Sequence, residues 1–321
     1  MNIQVVINQM IILFLVIIIG YIANKVGILD KSQNQKLSSL ILNITCPALI
    51  LASVSDIESG DFKIVVQIFI ISIIIYLVLP FMGILLAKIL KVPEEDRNLY
   101  KFMTIFSNIG FMGYPVIQSI FGTQALFFAS ICNMVFNIFC YSYGIYLISG
   151  DDKLSFDFKQ LINPGIIFSI IAIIIYLTKW KMPQIIGETS NLIGSITTPL
   201  AMMLIGSSLA DIPPKEVIND IRLYPYTIIK QIIMPILFWW VLKFIVVDKV
   251  VLGVLVVLVA MPVGSSTVMF CNQYEGNVDL ASKSIFITTL ASVFTIPILV
   301  YLLFTWFCVF LYIKQSLKWL T

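Results

Sequence analysis

Long apolar runs separated by short polar breaks fill the chain from end to end. A membrane span needs roughly 20 apolar residues. On that rule ten helices are predicted: Val5–Val26, Leu37–Val54, Ile64–Leu90, Leu99–Phe121, Gln124–Ser149, Pro164–Trp180, Ile185–Ala210, Leu223–Val247, Val250–Tyr274 and Leu280–Ile313. The fold class expected is an all-α polytopic membrane protein. The fourth run is interrupted, with Ser107, Asn108, Gly110, Gly113 and Pro115 falling within nine residues. Proline removes a backbone donor and crowds the preceding turn, and glycine lowers the cost of leaving helical geometry. In hydrocarbon the freed backbone groups must find partners in protein or in a watered cavity. The ninth run breaks in the same manner at Pro262, Gly264, Ser265, Ser266 and Thr267. Pro115 and Pro262 are the residues expected to hold the two breaks open.

The two halves of the chain resemble each other. Leu40-Ile41-x-x-Ile44-Thr45-x-Pro47 returns 152 residues later as Leu192-Ile193-x-x-Ile196-Thr197-x-Pro199. Pro80 and Lys88 return 155 residues later as Pro235 and Lys243. Gly122, Leu126 and Ser130 return 154 residues later as Gly276, Leu280 and Ser284. The reading is two repeats of five helices, residues 1–149 and 163–321, joined by a short linker at 150–162. Five is odd, so the second repeat enters the membrane from the opposite side. Of the 20 Lys and Arg, 13 fall at the ends shared by loops 1–2, 3–4, 5–6, 7–8 and 9–10. The richer side is expected to be cytoplasmic, which puts both termini outside. Helices four and nine then become equivalent broken helices that cross near the midplane, the strongest sequence pointer to a transporter site.

Composition narrows the chemistry. The chain is 60% hydrophobic and 12% charged, beyond the range of soluble domains. It has no His, which excludes imidazole metal sites and His proton relays. Cys46, Cys132, Cys140, Cys271 and Cys308 lie in apolar segments without metal-ligand spacing and read as small buried hydrophobes. No metal, cofactor or nucleic-acid partner is implied. The first Lys, Lys25, follows the first apolar run, so that run reads as an uncleaved span rather than a signal peptide. No ATP-binding signature occurs, and an intramembrane enzyme would need catalytic groups that the chain lacks.

Asp and Glu are absent from the middle of every predicted span. The crossing offers amides, hydroxyls and backbone groups: Asn108, Tyr114, Gln118, Ser265, Ser266 and Thr267, with Gly110, Gly113 and Gly264 beside them. A half-helix that begins there presents unpaired N–H groups and a partial positive charge, which suits a carboxylate. The expected solute is therefore anionic or neutral rather than a cation. Asn43, Thr45 and Thr197 are candidates for the facing wall. Asn133 and Asn137 share one face of helix five and serve either that wall or interhelical packing. Lys230, seven residues into helix eight, is expected to snorkel to the cytoplasmic interface. Otherwise it balances the anion.

These motifs also carry a family resemblance. Asn108-x-x-x-Met112-Gly113-x-Pro115 resembles the N-x-x-x-M-G-x-P of the auxin efflux carrier family, which includes the plant PIN-type carriers and bacterial malate or malonate permeases. Pro262-x-Gly264, with Phe270 and Tyr274, resembles that family's second crossover. The resemblance covers essentially the whole chain. It implies ten helices in two inverted repeats, a scaffold part beside a moving transport part, a homodimer in the plasma (inner) membrane, and export or exchange of small mono- or dicarboxylates by an elevator motion. It also implies that Asn108 contacts substrate. The plant members often carry a long loop between helices five and six, whereas 150–162 is short and resembles the bacterial members, so auxin itself is not implied. The alternative is a sodium- or proton-coupled symporter of the bile-acid-transporter type, in which amides and carbonyls would hold the ion.

Overall fold

The computed structural model describes residues 3–55, 61–149, 163–212, 217 and 220–318, with side chains of the last helix as far as Leu302. The expected 150–162 linker, the C-terminal residue and the lysines at 153, 159 and 215 lie outside the described residues. In what is described the fold is all-helical, without a β-strand. The helices are α1 (Ile3–Lys25), α2 (Lys31–Ala52), α3 (Phe62–Ile89), α4 (Arg97–Ile105), α5 (Ile109–Phe121), α6 (Ala125–Ser149), α7 (Pro164–Thr178), α8 (Gln184–Ala210), α9 (Leu223–Leu242), α10 (Lys249–Ala260), α11 (Ser266–Gln273) and α12 (Val278–Lys318). Seven of them, α1, α2, α3, α6, α8, α9 and α12, are long and apolar enough to cross a bilayer. The other three expected spans appear as shorter pieces: α4 with α5, α7 alone, and α10 with α11.

Three carboxylates cap helix starts, where side-chain oxygens satisfy orphan N–H groups. Asp30 closes a capping box with Gln33 at α2. Asp61 caps α3, and Asp248 caps α10 through the Val250 and Val251 N–H groups. Asn163 caps α7, with Pro164 in the first turn, where the missing N–H is harmless. Along the outer side of α3, Ile70, Ile74, Leu77, Phe81 and Leu85 are exposed. An apolar band of that kind is at home in lipid and not in water.

Three turns widen by one residue just ahead of a proline. Ile41–Thr45 precedes Pro47, Ile109–Gly113 precedes Pro115, and Ile229–Ile233 precedes Pro235. In each, the residue before the proline donates five residues back: Cys46 N–H to the Ile41 carbonyl, Tyr114 to Ile109, and Met234 to Ile229. The proline ring would collide with the carbonyl four residues earlier, and the wider turn moves that carbonyl aside. Such turns recur at functional sites. Pro80, the repeat mate of Pro235, lies instead within an uninterrupted α3.

The second half of α8 (Thr197–Ala210) packs along α1, and its first half (Gln184–Ser195) packs on the end of α2, as does α7. α3 packs on α4 and α6, and α9 packs on α10 and α12. The α1–α8 contact is backbone to backbone. A Cβ at Gly206 would lie 1.9 Å from the Ile17 carbonyl oxygen, and one at Gly20 would lie 2.1 Å from that of Met203. Asn24 donates to Ser207 Oγ and Asp211 Oδ1, both at 3.1 Å, and Lys25 donates to the Ala210 carbonyl at 2.8 Å. Small residues and polar bonds of this sort hold helices together where no hydrophobic drive separates protein from lipid.

Candidate functional site

The two interruptions meet. α4 ends at Ile105, and the chain leaves helical geometry at Phe106 and Asn108. α10 ends at Ala260, with Met261 extended. The unwound segments lie antiparallel at Ser107 and Val263. They exchange two backbone bonds, from Asn108 N–H to the Pro262 carbonyl at 2.8 Å and from Gly264 N–H to the Phe106 carbonyl at 3.2 Å. Each break thereby satisfies part of the other's backbone, as apolar surroundings demand. Gly264 fits here because a Cβ would come within 3.3 Å of the carbonyls of Phe106 and Ser107.

Pro262 lies inside the second break, as expected. Pro115 does not lie in the first. It sits in the first turn of the regular part of α5, seven residues beyond Asn108, and the unwinding comes ahead of Gly110. The first break is held by Asn108 and the exchanged backbone bonds, while Pro115 shapes the widened turn behind it. Pro115→Ala is therefore expected to keep the fold and change substrate affinity less than about threefold, well under 1.4 kcal/mol. Equilibrium binding by the purified variant checks this, and loss of binding would return Pro115 to the role of breaker.

Asn108 is buried, and its Oδ1 accepts the Phe111 N–H at 3.2 Å, capping α5. Its Nδ2 donates to no protein group among the described residues, so a donor remains beside the start of a 13-residue helix. In front of Gly110 the space is open, and a Cβ there would meet only Leu42 Cδ2 of α2, at 4.0 Å. Gly113 is closed by Leu258 Cδ2, 2.9 Å from a Cβ, and Tyr114 is fully buried. Thr45, Thr197 and Thr267 are buried, and their hydroxyls have no hydrogen-bond partner among the described residues. Ser265 is exposed and Ser266 half-buried at the start of α11.

Other candidates are already engaged. Gln118 Oε1 accepts from Thr198 Oγ1 at 2.7 Å, which ties α5 to α8. Asn137 donates to the Asn133 carbonyl within its own helix, at 2.8 Å, rather than across helices. Asn43 is exposed and donates back to Ser39. Cys46, Cys132, Cys140 and Cys271 are buried free thiols.

The expectation that Lys230 snorkels to the interface is overturned. The side chain is 1% exposed and turns inward. Nζ donates to Ser107 Oγ at 2.8 Å and approaches the Thr104 carbonyl at 3.4 Å. The widened turn Ile229–Ile233 rotates this part of α9, so both Lys230 and Gln231 face the protein. Gln231 Nε2 donates to the Thr288 carbonyl at 2.6 Å, and its Oε1 accepts from Thr295. Thr288 Oγ1 accepts the Val263 N–H at the second break. Ser107, Gln231, Thr288 and Thr295 therefore belong to the crossing and were missing from the candidates. A signal for the α12 members existed, since Ser284, Thr288, Ser292 and Thr295 form one polar stripe at helical spacing.

Seven long apolar helices, with two interrupted helices meeting at a polar point, describe a multi-pass membrane protein. The family model described as membrane transport protein matches residues 5–155 and 153–300, and the chain belongs to that family, the auxin efflux carrier group that the motifs resemble. An uncharacterized transporter of Methanocaldococcus jannaschii is 28% identical over 305 residues, covering 91% of this chain and 96% of that protein. Another uncharacterized transporter, from Methanothermobacter thermautotrophicus, is 23% identical over 292 residues, covering 88% and 93%.

Proposed function

We propose that this protein is a secondary carrier of small organic carboxylates, with the carboxylate seated where the two interrupted helices cross. The observation that carries the reading is the backbone exchange between Asn108 and Pro262 and between Gly264 and Phe106. It places the start of α5 and the Asn108 amide at one polar point inside an apolar bundle. The helix start offers N–H groups and a partial positive charge to an anion. Thr267, whose N–H bonds the Gly264 carbonyl, brings an unpartnered hydroxyl to the second break, and the open face of Gly110 adds room; Thr45 and Thr197, also buried without partners among the described residues, stay candidates for the facing wall. Counterflow of labelled mono- and dicarboxylates in proteoliposomes tests the reading. Saturable exchange of at least one supports a carrier, and unsaturable flux supports a channel.

The ten spans form two inverted repeats in this proposal. Helix packing supports it, because α3 lies against α4 and α6 as α9 lies against α10 and α12. The set α1, α2, α7 and α8 is assigned to the scaffold of a homodimer and the remainder to the moving part of an elevator. With the Lys- and Arg-rich ends in the cytoplasm, both termini lie outside the plasma (inner) membrane. Cysteines placed at Ser155 and Thr321, on a background without native Cys, are expected to react with an impermeant thiol reagent from opposite sides. Reaction of both from outside would end this topology.

A further inference from the structure

The internal repeat makes α5 and α11 equivalent, since Gly110 and Gly122 return 154 residues later as Gly264 and Gly276. The structure treats the two helices unequally. α5 packs on α1 and on the second half of α8, and none of its residues from Ile109 to Phe121 is exposed. α11 packs on α12 and on the end of α6. Among the described residues it makes no comparable contact with α7 or α2, the repeat mates of α1 and α8. Ser265, Met269, Asn272 and Gln273 are exposed along one side of it. Polar groups at membrane depth belong against protein or water rather than lipid, so that side of α11 is suited to a contact not made in this arrangement.

One bond pins α5. Thr198 Oγ1 of α8 donates to Gln118 Oε1 at 2.7 Å. The other side-chain bonds between distant helices stay within one of two sets. Those of Asn24 and Lys25 lie within the set α1, α2, α7 and α8. Those of Ser72, Gln231 and Asn277 lie within the remainder. Among the described residues, Gln118–Thr198 is the side-chain hydrogen bond that joins the two sets.

The repeat also says where the mate of this bond lies. Gln118 returns as Asn272 at the displacement of α5 and α11, 154, and Thr198 is the return of Cys46 at the displacement of the α2 and α8 motifs, 152. Asn272 is exposed, Cys46 is a buried free thiol in α2, and no hydrogen bond joins them. In a carrier of inverted repeats that rock about one site, a contact made by the first repeat in one state is expected of the second repeat in the other.

We infer that Gln118–Thr198 is the latch of one carrier state, and that in the opposite state it opens and Asn272 seats against α2 beside Cys46. The inference rests on the carrier reading above. With both termini outside, α5 ends at the outer face and α11 at the cytoplasmic face, so this structure is closed outward and open inward. A net hydrogen bond weights such a balance by about two- to tenfold. Gln118 and Thr198 therefore bias the resting side of the carrier without touching the solute.

The test oxidises full-length Asn272→Cys in liposomes with copper–phenanthroline and locates disulfides by mass spectrometry. Position 272 is exposed and Cys46 is native, so the core is unaltered. A disulfide between positions 46 and 272 is expected. Adding Thr198→Val, which removes the donor at nearly constant shape, is expected to raise its rate of formation about two- to tenfold. In a variant that carries Gln118→Cys and Thr198→Cys besides, each molecule is expected to hold the 118–198 or the 46–272 disulfide and never both. Absence of the 46–272 disulfide in protein that exchanges a carboxylate overturns the inference and leaves the carrier reading intact, as do molecules holding both disulfides. Two alternative disulfides without exchange of any carboxylate overturn the carrier reading instead, and absence of both disulfide and exchange overturns the two together. If the multiple-cysteine variant fails to fold, the effect of Thr198→Val decides, and an unchanged rate overturns the inference.

Discussion

Asn108→Asp is expected to abolish carboxylate binding, by more than about 100-fold, while leaving the protein folded. The two halves of that expectation come from two atoms. Oδ1 of Asn108 accepts the Phe111 N–H and caps α5, and an aspartate oxygen does the same at a helix start. Nδ2 is the free donor, and aspartate replaces it with an acceptor that bears negative charge. A second carboxylate brought to that point meets a like charge in surroundings of low dielectric, where repulsion is far stronger than in water. Asn108→Ala gives a smaller and mixed effect. Losing a hydrogen bond to a charged group costs roughly 1.5–3 kcal/mol, or about 10- to 100-fold in affinity. Losing the cap costs about 1 kcal/mol of stability besides. Binding isotherms and melting curves on monodisperse protein separate the two substitutions. Tight carboxylate binding by Asn108→Asp would move the seat away from this crossing.

The same residues show how far the pattern of the sequence reaches. The second break was legible to the residue, because Pro262 and Gly264 stand in an otherwise unbroken apolar run. Asn108 was legible as well, since amides are good helix caps and poor residents of helix interiors. Pro115 misled. Its cue was read as the break itself, but a proline in the first turn of a helix is tolerated, and here it follows a widened turn. Lys230 misled for a different reason. Depth along a helix says nothing about the direction a long side chain takes, and the extra residue in Ile229–Ile233 turns that face inward. Gln118 and Asn137 had the right chemistry, but Thr198 and the Asn133 carbonyl use it. Partners of that kind are set by packing, which the order of polar residues does not encode. Seven of the expected spans followed from apolar run lengths, whereas the two divided helices needed their exchanged backbone bonds to be understood.

Among the described glycines, Gly206 has the closest backbone at its Cβ position, and nothing in the sequence pattern singled it out. Its Cα faces the backbone of α1, where a Cβ would lie 1.9 Å from the Ile17 carbonyl oxygen and 2.8 Å from the Tyr21 nitrogen. Those are main-chain atoms, so no rotamer change relieves the clash, and the helices must move apart. Separation would also stretch the bonds of Asn24 to Ser207 and of Lys25 to Ala210. Overpacking of a well-fitted core costs typically about 1–3 kcal/mol. Gly206→Val, with two further methyls against a backbone, is expected to exceed about 3 kcal/mol and to leave little monodisperse protein. Gly110→Ala is the matched control, since it too places a methyl on a membrane helix, yet meets only Leu42 Cδ2 at 4.0 Å. It is expected to melt within a few degrees of the wild type. Thermal melting followed by size-exclusion chromatography compares the pair. Equal stability of Gly206→Val and wild type would mean that α1 and α8 do not touch through their backbones. The proposed scaffold would then lack the rigid pairing assigned to it.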